Sequence, residues 1–307
     1  MEFLSSIYKK NFINKIGEII FSLLIKLFSF VCIILLAFII FFIIKESVPL
    51  FNKVGILNFI FGKVWRPLTF AISNNLKESY GIFNIIIATL YTAFLSTFIS
   101  LFVGIGFSIF IVFIANKSIR FFIMPIMDLI VAIPSVIYGF IGLVIIVKFF
   151  EKLSMPAGES VLAASLLLSF MIVPFIASTV SESMILINKK YKDISLTLGV
   201  DKWYMILNLI LPSSKNAILV GFILSVSRAM GETMAVMMVI GNSLVFPKLL
   251  GKAETIASLI ALEIGTAEVK SLHYSALFAS GAILMLSLSI INIAVYFLRK
   301  YLLKLEN

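Results

Sequence analysis

The chain alternates between long apolar stretches and shorter polar stretches that are rich in lysine. A helix needs about 20 apolar residues to cross a bilayer, and six stretches reach or exceed that length: residues 19–44, 81–115, 121–147, 160–180, 217–241 and 274–298. None of them shows the alternation of polar and apolar residues that is typical of a barrel strand. The pattern therefore predicts an all-α polytopic membrane protein with six transmembrane helices.

The composition agrees with a membrane protein and excludes several other classes. Of the 307 residues, 61% are hydrophobic and 13% are charged, whereas soluble domains are about half apolar and about a quarter charged. The net charge of +10 comes mostly from lysines beside the apolar stretches, where they suit anionic lipid better than nucleic acid. Cys32 is the only cysteine, so an internal disulfide is impossible, and the single histidine, His273, is a poor candidate for a metal ligand.

The polar stretches suggest how the chain is divided. Residues 1–45 are interpreted as an amino tail followed by a retained signal-anchor helix, because the apolar stretch is longer than the core of a cleaved signal peptide. Residues 46–80 are an expected extracytoplasmic loop, residues 81–299 a core with five further spans, and residues 300–307 a tail. Within the core, residues 148–159 and 242–272 are expected to be loops on the same side as residues 46–80. Six spans put both termini on one side, and a slight excess of Lys and Arg favours the cytoplasm for that side.

The third apolar stretch carries an acid and a helix-breaking motif. Asp128 precedes the sequence IPSVIYG at residues 133–139. Pro134 removes a backbone donor and disfavours helical geometry at the residue before it, so we expect a kink there. Broken helices at membrane depth are tolerated where neighbours or a water-filled cavity satisfy the freed groups. Residues 128–139 are therefore either part of a pathway wall or a packing kink.

The fifth apolar stretch carries two opposite charges in its middle. Arg228 and Glu232 are four residues apart, so on a continuous helix they share one face and can reach each other. An unpaired charge in hydrocarbon costs about 2.5–3.5 kcal/mol on insertion scales, and ionisable residues at this depth usually face a partner, a cavity or a substrate path. The two residues are either an ion pair that holds helices together or part of a solute pathway, and we favour the pathway.

Residues 181–215 form a polar segment with a helical pattern of its own. Gly199 is placed to end a first helix as a C-cap glycine, and Pro212 stops a second one. The apolar residues that predict these two helices fall on one stripe each: Ile187, Tyr191, Ile194 and Leu198, then Trp203, Ile206, Leu207 and Ile210. Two short amphipathic helices around a glycine turn are expected to dock on a partner, and a hairpin that lies on the lipid surface is the alternative.

This segment also resembles a known motif. Type I ABC importers carry the pattern E-A-A-x(3)-G-x(9)-I-x-L-P in their membrane subunit. The chain has Asp193, Ser195, Gly199, Leu211 and Pro212 at the matching positions, with the same spacing. It departs from the pattern with Asp for Glu, Ile for the first Ala, Ser for the second Ala and Leu for Ile. The resemblance implies that these residues couple the chain to an ATPase.

A second resemblance is more specific. The sequence RAMGETMAVMMVIGN at residues 228–242 is similar to the RALGETMAVxMVIGN motif of phosphate-importer permeases of the PstC type. Asp128 with IPSVIYGF, and YGIFNIIIATLYTA at residues 80–93, also resemble that family in position and order. The resemblance covers roughly residues 55–300 and implies the type I ABC importer permease fold.

The family resemblance implies a set of partners. They are a second permease subunit of the PstA type, two ATPase subunits of the PstB type and an extracytoplasmic phosphate-binding protein of the PstS type, assembled in a bacterial plasma membrane and surrounded by its lipid. No cofactor and no enzymatic activity are expected in this chain, because no G-x-x-x-x-G-K-[ST] phosphate loop occurs in it. ATP hydrolysis would take place in the partner subunits.

The resemblance also implies a chemistry for the pathway. Arg228, Glu232 and Asp128 would line it, since a guanidinium offers a planar fork that matches phosphate oxygens. Glu232 would keep the arginine from binding too tightly, and Asp128 would be a second counter-charge. Three alternatives remain: a permease for phosphonate, sulfate or molybdate, a non-transporting membrane scaffold or sensor, and an ion-driven carrier.

Overall fold

The chain folds into a bundle of helices. A computed structural model describes the backbone of residues 2–67, 78–153 and 158–304. Within these ranges four helices are long and apolar enough to span a membrane, and six spans result if two sharply bent helix pairs count as one span each. The four continuous helices contain the first, second, fourth and sixth predicted spans, and the bent pairs contain the third and most of the fifth. The predicted fold class is confirmed.

The secondary structure is almost entirely helical. In chain order the helices are α1 (Glu2–Val54), α2 (Ile56–Phe61), α3 (Phe83–Ile109), α4 (Lys117–Ala132), α5 (Ser135–Gly142), α6 (Lys148–Lys152), α7 (Val161–Thr197), α8 (Lys202–Met205), α9 (Leu211–Ser213), α10 (Lys215–Gly231), α11 (Met234–Val239), α12 (Ile256–Glu263) and α13 (Leu272–Lys304). Wider π-helical turns continue α3, α5 and α8 at Phe110–Ile114, Leu143–Val147 and Ile206–Ile210. Strands β1 (Trp65–Arg66) and β2 (Ser79–Tyr80) pair in antiparallel fashion.

Helix α7 lies at the centre of the bundle and packs against α3, α4, α10 and α11. Its crossing with α3 depends on small residues. A Cβ added at Gly104 would lie 2.7 Å from Cγ2 of Ile176, and Ser108 donates a hydrogen bond to the Ala177 carbonyl at 3.1 Å. In lipid, where apolar surface gains little from burial, such close backbone contacts and hydrogen bonds hold helices together.

One end of the bundle, called the cap end, is covered by residues 55–67, 78–82 and 240–271. Asn84 in the first turn of α3 donates Nδ2 to the Leu244 carbonyl at 3.3 Å. The first two N–H groups of α7 donate to carbonyls of the 240–271 segment at 3.0 and 2.9 Å. These bonds satisfy donors that a helix start leaves free, so the cap end is tied to both central helices.

The opposite end, called the hairpin end, is formed by residues 186–215. There α7 ends, the chain turns at Gly199, and α8 and α9 return towards the bundle. Lys202 donates Nζ to the Phe113 carbonyl at 2.6 Å, and Arg120 donates to the Ile111 carbonyl at 2.8 Å. Two cations thus bind carbonyls at the far end of the helix that begins at Phe83, where a helix leaves its acceptors free.

Two helices continue beyond their predicted ends. Helix α1 runs past residue 45 to Val54, and the helix of the span predicted to end at residue 180 continues as α7 to Thr197. Both predictions followed the loss of apolar character. A helix that leaves the hydrocarbon keeps its own hydrogen bonds, and no helix-breaking residue follows residue 180 before Gly199.

The segments predicted to be loops contain ordered structure. Residues 242–272 carry α12, whose start has a capping box between Thr255 and Ser258 and whose Ile256 and Leu259 are buried. The end of α1, α2 and the two strands occupy the described part of residues 45–80, and α6 lies in the predicted 148–159 loop. Residues 68–77 and 154–157 of these two loops lie outside the described ranges.

Glu254 is a buried acid at the cap end, immediately before α12. Its side chain is 4% exposed, and no described residue donates a hydrogen bond to its carboxyl. Burial, and secondarily the negative charge of Glu263, raise the pKa of Glu254 from 4.5 to about 7. The folded chain therefore keeps a proton between these two pH values that the unfolded chain has lost.

We predict that the folded chain loses stability as the pH rises from 4.5 to about 7, with a slope of up to about 1.4 kcal/mol per pH unit because one proton is released on unfolding. Glu254→Gln should remove this contribution. Thermal unfolding of the purified chain in detergent across this pH window measures it. Glu268→Gln, which changes an exposed acid, should follow the parent chain. Parallel pH profiles for all three proteins would contradict the prediction.

Candidate functional site

Two breaks in the helices lie next to each other. One separates α4 from α5 at a bend of 91°, and the other separates α10 from α11. Helix α5 packs on α11 with almost no side chain between them: a Cβ added at Gly139 would lie 3.0 Å from Cα of Ala235 and 3.3 Å from the Met234 carbonyl oxygen. Glycine therefore lets the two helices that follow the breaks meet backbone to backbone.

The first break is the kink predicted at Pro134, and the structure confirms it. Ile133 has extended geometry, with ψ 131°. The Tyr138 hydroxyl donates to the Ile130 carbonyl at 2.6 Å, so one side chain beyond the bend satisfies a carbonyl before it. Tyr138 is 5% exposed and lies within electrostatic range of Arg228, which places the two breaks at one site.

The second break corrects the prediction of a continuous fifth span. Helix α10 ends at Gly231, and Glu232 has extended geometry with φ −72° and ψ 126°. The Thr233 hydroxyl donates to the Gly231 carbonyl at 3.3 Å, and glycine and a β-branched residue both weaken a helix. Arg228 and Glu232 are therefore not one turn apart on a helix face, and no ion pair joins them.

Arg228 lies in the last turn of α10 and is half-buried. Its positive charge is favourable there, because the free carbonyls of a helix end carry partial negative charge. Its guanidinium makes no hydrogen bond or ion pair with any residue in the described ranges. Glu232 is also half-buried, and its Oε1 accepts the N–H of Ala235 at 3.5 Å. The five donors of the guanidinium are thus left for a partner outside the described ranges.

Asp128 lies elsewhere. It is exposed on α4 and lines a small cleft with Ser178, Ser181 and Glu182, and neither Arg228 nor Glu232 lines that cleft. The structure thus brings Arg228 and Glu232 to one break and places the third predicted pathway residue beside a second acid. Spacing along the sequence does not give the spatial distance between Asp128 and the other two residues.

The hairpin end contains the predicted coupling residues. Gly199 has φ +65°, which glycine adopts without strain. The N–H of Val200 donates to the Ser195 carbonyl at 2.9 Å and that of Gly199 to the Leu196 carbonyl at 3.3 Å. This pair of bonds is a Schellman motif, so the predicted C-cap is confirmed. The helix that it ends is α7 itself, however, and not a separate short helix.

The other coupling residues have different environments. Ser195 is buried and donates to the Lys192 carbonyl at 2.8 Å, so it packs inside the hairpin. Asp193 and Pro212 are exposed, and Leu211 is half-buried. The exposed ones are free to meet another protein, whereas Ser195 holds the hairpin in shape.

The second predicted stripe is divided between two faces. Ile206 and Ile210 are 0% exposed, whereas Trp203 is 52% and Leu207 is 54% exposed. The prediction of one shared face is wrong, because the π-helical turn Ile206–Ile210 alters the angular spacing of the side chains. Exposed apolar side chains therefore lie on both arms of the hairpin, and we call them the hairpin patch: Ile194, Leu198, Trp203, Tyr204 and Leu207. Apolar patches of this kind mark interaction sites.

Comparison with known proteins identifies the family. The family described as binding-protein-dependent transport system inner membrane component matches residues 104–304. The chain belongs to this family. It is thus a multi-pass membrane component of a transport system, and the predicted family is confirmed.

Full-length relatives of this component are known. The probable phosphate transport system permease protein PstC of Methanocaldococcus jannaschii is 31% identical over 95% of this chain and 96% of the relative. The phosphate transport system permease protein PstC of Pasteurella multocida is 30% identical over 91% and 90%. The probable ABC transporter permease protein YqgH of Bacillus subtilis is 32% identical over 77% and 75%.

Solved structures of importers share the fold of this family component. The inward-facing MetNI methionine ABC transporter matches with a TM-score of 0.55 and 17% identity over 70% of this chain and 92% of its own. A bacterial ABC transporter that imports the acidic polysaccharide alginate matches with a TM-score of 0.54 and 16% identity over 87% and 94%. At these identities the likeness shows the fold alone, which is that of an ABC importer permease.

Some residues of this transport component escaped the sequence analysis. Trp65 donates Nε1 to Glu263 Oε2 at 3.0 Å, and His273 Nε2 lies 2.7 Å from the same oxygen. This cluster joins β1, α12 and α13 at the cap end. Tyr138 belongs to the IPSVIYG motif, but its bond across the bend could not be read from spacing. His273 has no acidic neighbour in the sequence pattern, and only the fold brings a carboxylate to it.

We predict that Gly139→Ala lowers both the stability and the transport activity of the protein. The new methyl group would lie 2.7 Å from Sδ of Met238 and 3.0 Å from Cα of Ala235, and the backbone cannot yield as a side chain could. Overpacking of this kind costs about 1–3 kcal/mol. Thermal unfolding and transport activity of the assembled complex should both fall. Gly106→Ala, where no atom lies within 4 Å of the added Cβ, is the matched control and should leave both unchanged.

Proposed function

We propose that the chain is the permease subunit of an ATP-driven importer of inorganic phosphate and that it forms half of the translocation pathway. The observation that carries the proposal is the state of Arg228. Its guanidinium is half-buried beside two helix breaks and has no partner in the described part of the chain. Arg228 is also the first residue of the RAMGETMAVMMVIGN motif. Relatives that cover nearly the whole chain are named as phosphate permeases, which supports the choice of cargo.

The chemistry of Arg228 suits phosphate. A guanidinium stays charged at physiological pH and donates two parallel hydrogen bonds to the oxygens of an oxyanion. A transport site must also release its cargo, and Glu232 at the same break supplies a negative charge that weakens the hold on an anion. In this proposal Glu232 tunes the affinity and Arg228 provides it.

Asp128 is kept in the proposed pathway as a second counter-charge. In the present conformation it lies in the cleft beside Glu182, so its contribution would come in another state of the transporter. Alternating access requires at least two packings of the same helices, biased by ligands at separate sites. The bend at Pro134, which separates α4 from α5, is a place where these packings can differ.

The hairpin patch supports the proposed partners. A PstB-type ATPase subunit would bind it, a PstA-type permease would complete the pathway, and a PstS-type protein would deliver phosphate to the cap end. The hairpin end and both termini would then face the cytoplasm of a bacterial plasma membrane. Helix α7 is continuous from the hairpin to the core, so movement of the ATPase can reach the site through one rigid element. ATP hydrolysis belongs to the partner, and this chain contributes no catalytic residue.

Transport by the reconstituted complex tests the function. We expect proteoliposomes that contain the permeases, the ATPases and the binding protein to accumulate radiolabelled phosphate, and only with ATP present. Unlabelled phosphate should compete, whereas phosphonate, sulfate and molybdate should not. Competition by one of these oxyanions instead would change the cargo. The absence of any uptake from a fully assembled complex would favour a scaffold.

A further inference from the structure

A second polar site lies at the hairpin end, away from both helix breaks. A cavity of about 340 Å³ opens between the end of the α3 span and the two arms of the hairpin. Its walls combine apolar and basic side chains, among them Phe113, Asn188, Lys192, Val200 and Lys202. This volume is within the range of about 300–1,000 Å³ that is usual for ligand sites.

The cavity is positively charged and incompletely hydrogen-bonded. Lys192 and Lys202 bring two ammonium groups, and none of the described residues that line it is acidic. Lys202 donates to the Phe113 carbonyl at 2.6 Å, whereas the Lys192 ammonium forms no ion pair with a described residue. Oδ1 of Asn188 is buried and has no hydrogen-bond partner. An unsatisfied buried acceptor is costly, so a ligand with both an anion and a donor would be favoured here.

The length of α7 places the cavity beyond the hydrocarbon core, on the side of the lipid headgroups. Asn188 is about 40 Å along α7 from Val161, at about 1.5 Å per residue, and the hydrocarbon core is only about 30 Å thick. The basic turn that holds Lys117 and Arg120 follows directly after Phe113 and its neighbours, and basic residues typically flank the hydrocarbon on the cytoplasmic side.

We propose that this cavity binds the headgroup of an anionic phospholipid that carries free hydroxyls, such as phosphatidylglycerol. The lipid phosphate would pair with Lys192 and Lys202, and a headgroup hydroxyl would donate to Oδ1 of Asn188. Val112, Leu196 and Val200 belong to the apolar part of the lining and would contact the glycerol and the start of the acyl chains. Basic pockets between membrane helices bind anionic lipids in this way. The bound lipid would tie the end of the α3 span to the hairpin.

Lysine acylation of the full chain in nanodiscs tests the proposal. When phosphatidylglycerol replaces phosphatidylcholine, acylation of Lys192 should fall several-fold more than that of Lys189. Lys189 is exposed on the same helix outside the cavity, so it reports the general effect of surface charge. Equal changes at the two lysines would overturn the proposal.

Variants and a small-anion probe complete the test. In native mass spectrometry Lys192→Gln should retain several-fold less phosphatidylglycerol than Lys189→Gln, and equal retention would overturn the proposal. Inorganic phosphate in phosphatidylcholine nanodiscs should leave Lys192 reactive, and protection by phosphate alone would indicate a small-anion site instead. If Lys192 became protected only on addition of the ATPase subunits, the cavity would be a protein contact and not a lipid site. None of these readouts depends on phosphate uptake.

Discussion

Arg228→Gln is expected to abolish phosphate uptake by the assembled transporter while the complex still reaches the membrane. The guanidinium has no internal partner in the described structure, so its removal should not disturb the fold. Loss of one member of a hydrogen-bonded charge pair costs about 2–5 kcal/mol, which corresponds to a loss in affinity of about 30-fold or more. Uptake of radiolabelled phosphate, normalised to the amount of complex purified, measures the effect.

Two further variants separate charge from geometry at this site. Arg228→Lys keeps the positive charge but lacks the planar fork, so uptake should fall to an intermediate level. Glu232→Gln should also lose uptake, because phosphate would be released too slowly, while binding of phosphate itself should persist. Glu268→Gln at the exposed cap surface is the control. Full uptake by Arg228→Gln and Glu232→Gln would remove both residues from the pathway.

The sequence predicted the presence of this site better than its shape. Two charges inside an apolar stretch were enough to single out Arg228 and Glu232, since hydrocarbon penalises them strongly. Periodicity assumed a continuous helix, however, and the structure ends α10 at Gly231. A helix break that rests on one glycine and one hydroxyl hydrogen bond gives only a weak signal in the sequence. The unpaired state of Arg228 therefore appears only in the structure.

The ends of the helices are also only partly predictable from the sequence. Hydropathy detects where a helix leaves the hydrocarbon, whereas hydrogen bonding decides where it stops. Gly199 was predicted correctly because a left-handed residue is a local requirement that glycine satisfies. The continuity of the helix before Gly199 with the fourth span, as one helix of 37 residues, was not predicted, because the apolar character is lost after residue 180. Contacts between distant segments, such as Trp65 with Glu263, leave no local trace.

The continuous α7 has a mechanical consequence for the hairpin. Its end is capped by the Schellman motif at Gly199, and it packs against α3 and α10. The part of the hairpin patch on α7 is therefore held on a helix rather than on a loose loop. Force applied at Ile194 would be transmitted along α7, whereas Trp203 lies on α8 beyond the Gly199 turn. The turn at Gly199 and the hairpin patch at Ile194 can therefore be tested by separate substitutions.

Ile194→Asp and Gly199→Trp are expected to separate the ATPase from the membrane subunit. Ile194 is 53% exposed, so a charge there should spoil an apolar contact without unfolding the chain. At Gly199 no atom lies within 4 Å of an added Cβ. Tryptophan would be strained at φ +65° by about 1–2 kcal/mol, and its ring would obstruct the proposed ATPase contact. Co-purification of the ATPase and ATP-dependent uptake should both fall at least about tenfold. The controls are Gly199→Asn, because asparagine tolerates this backbone geometry, and Lys189→Asp. Both controls should retain most of the co-purification and most of the uptake. Normal co-purification and uptake with Ile194→Asp would show that the ATPase binds elsewhere.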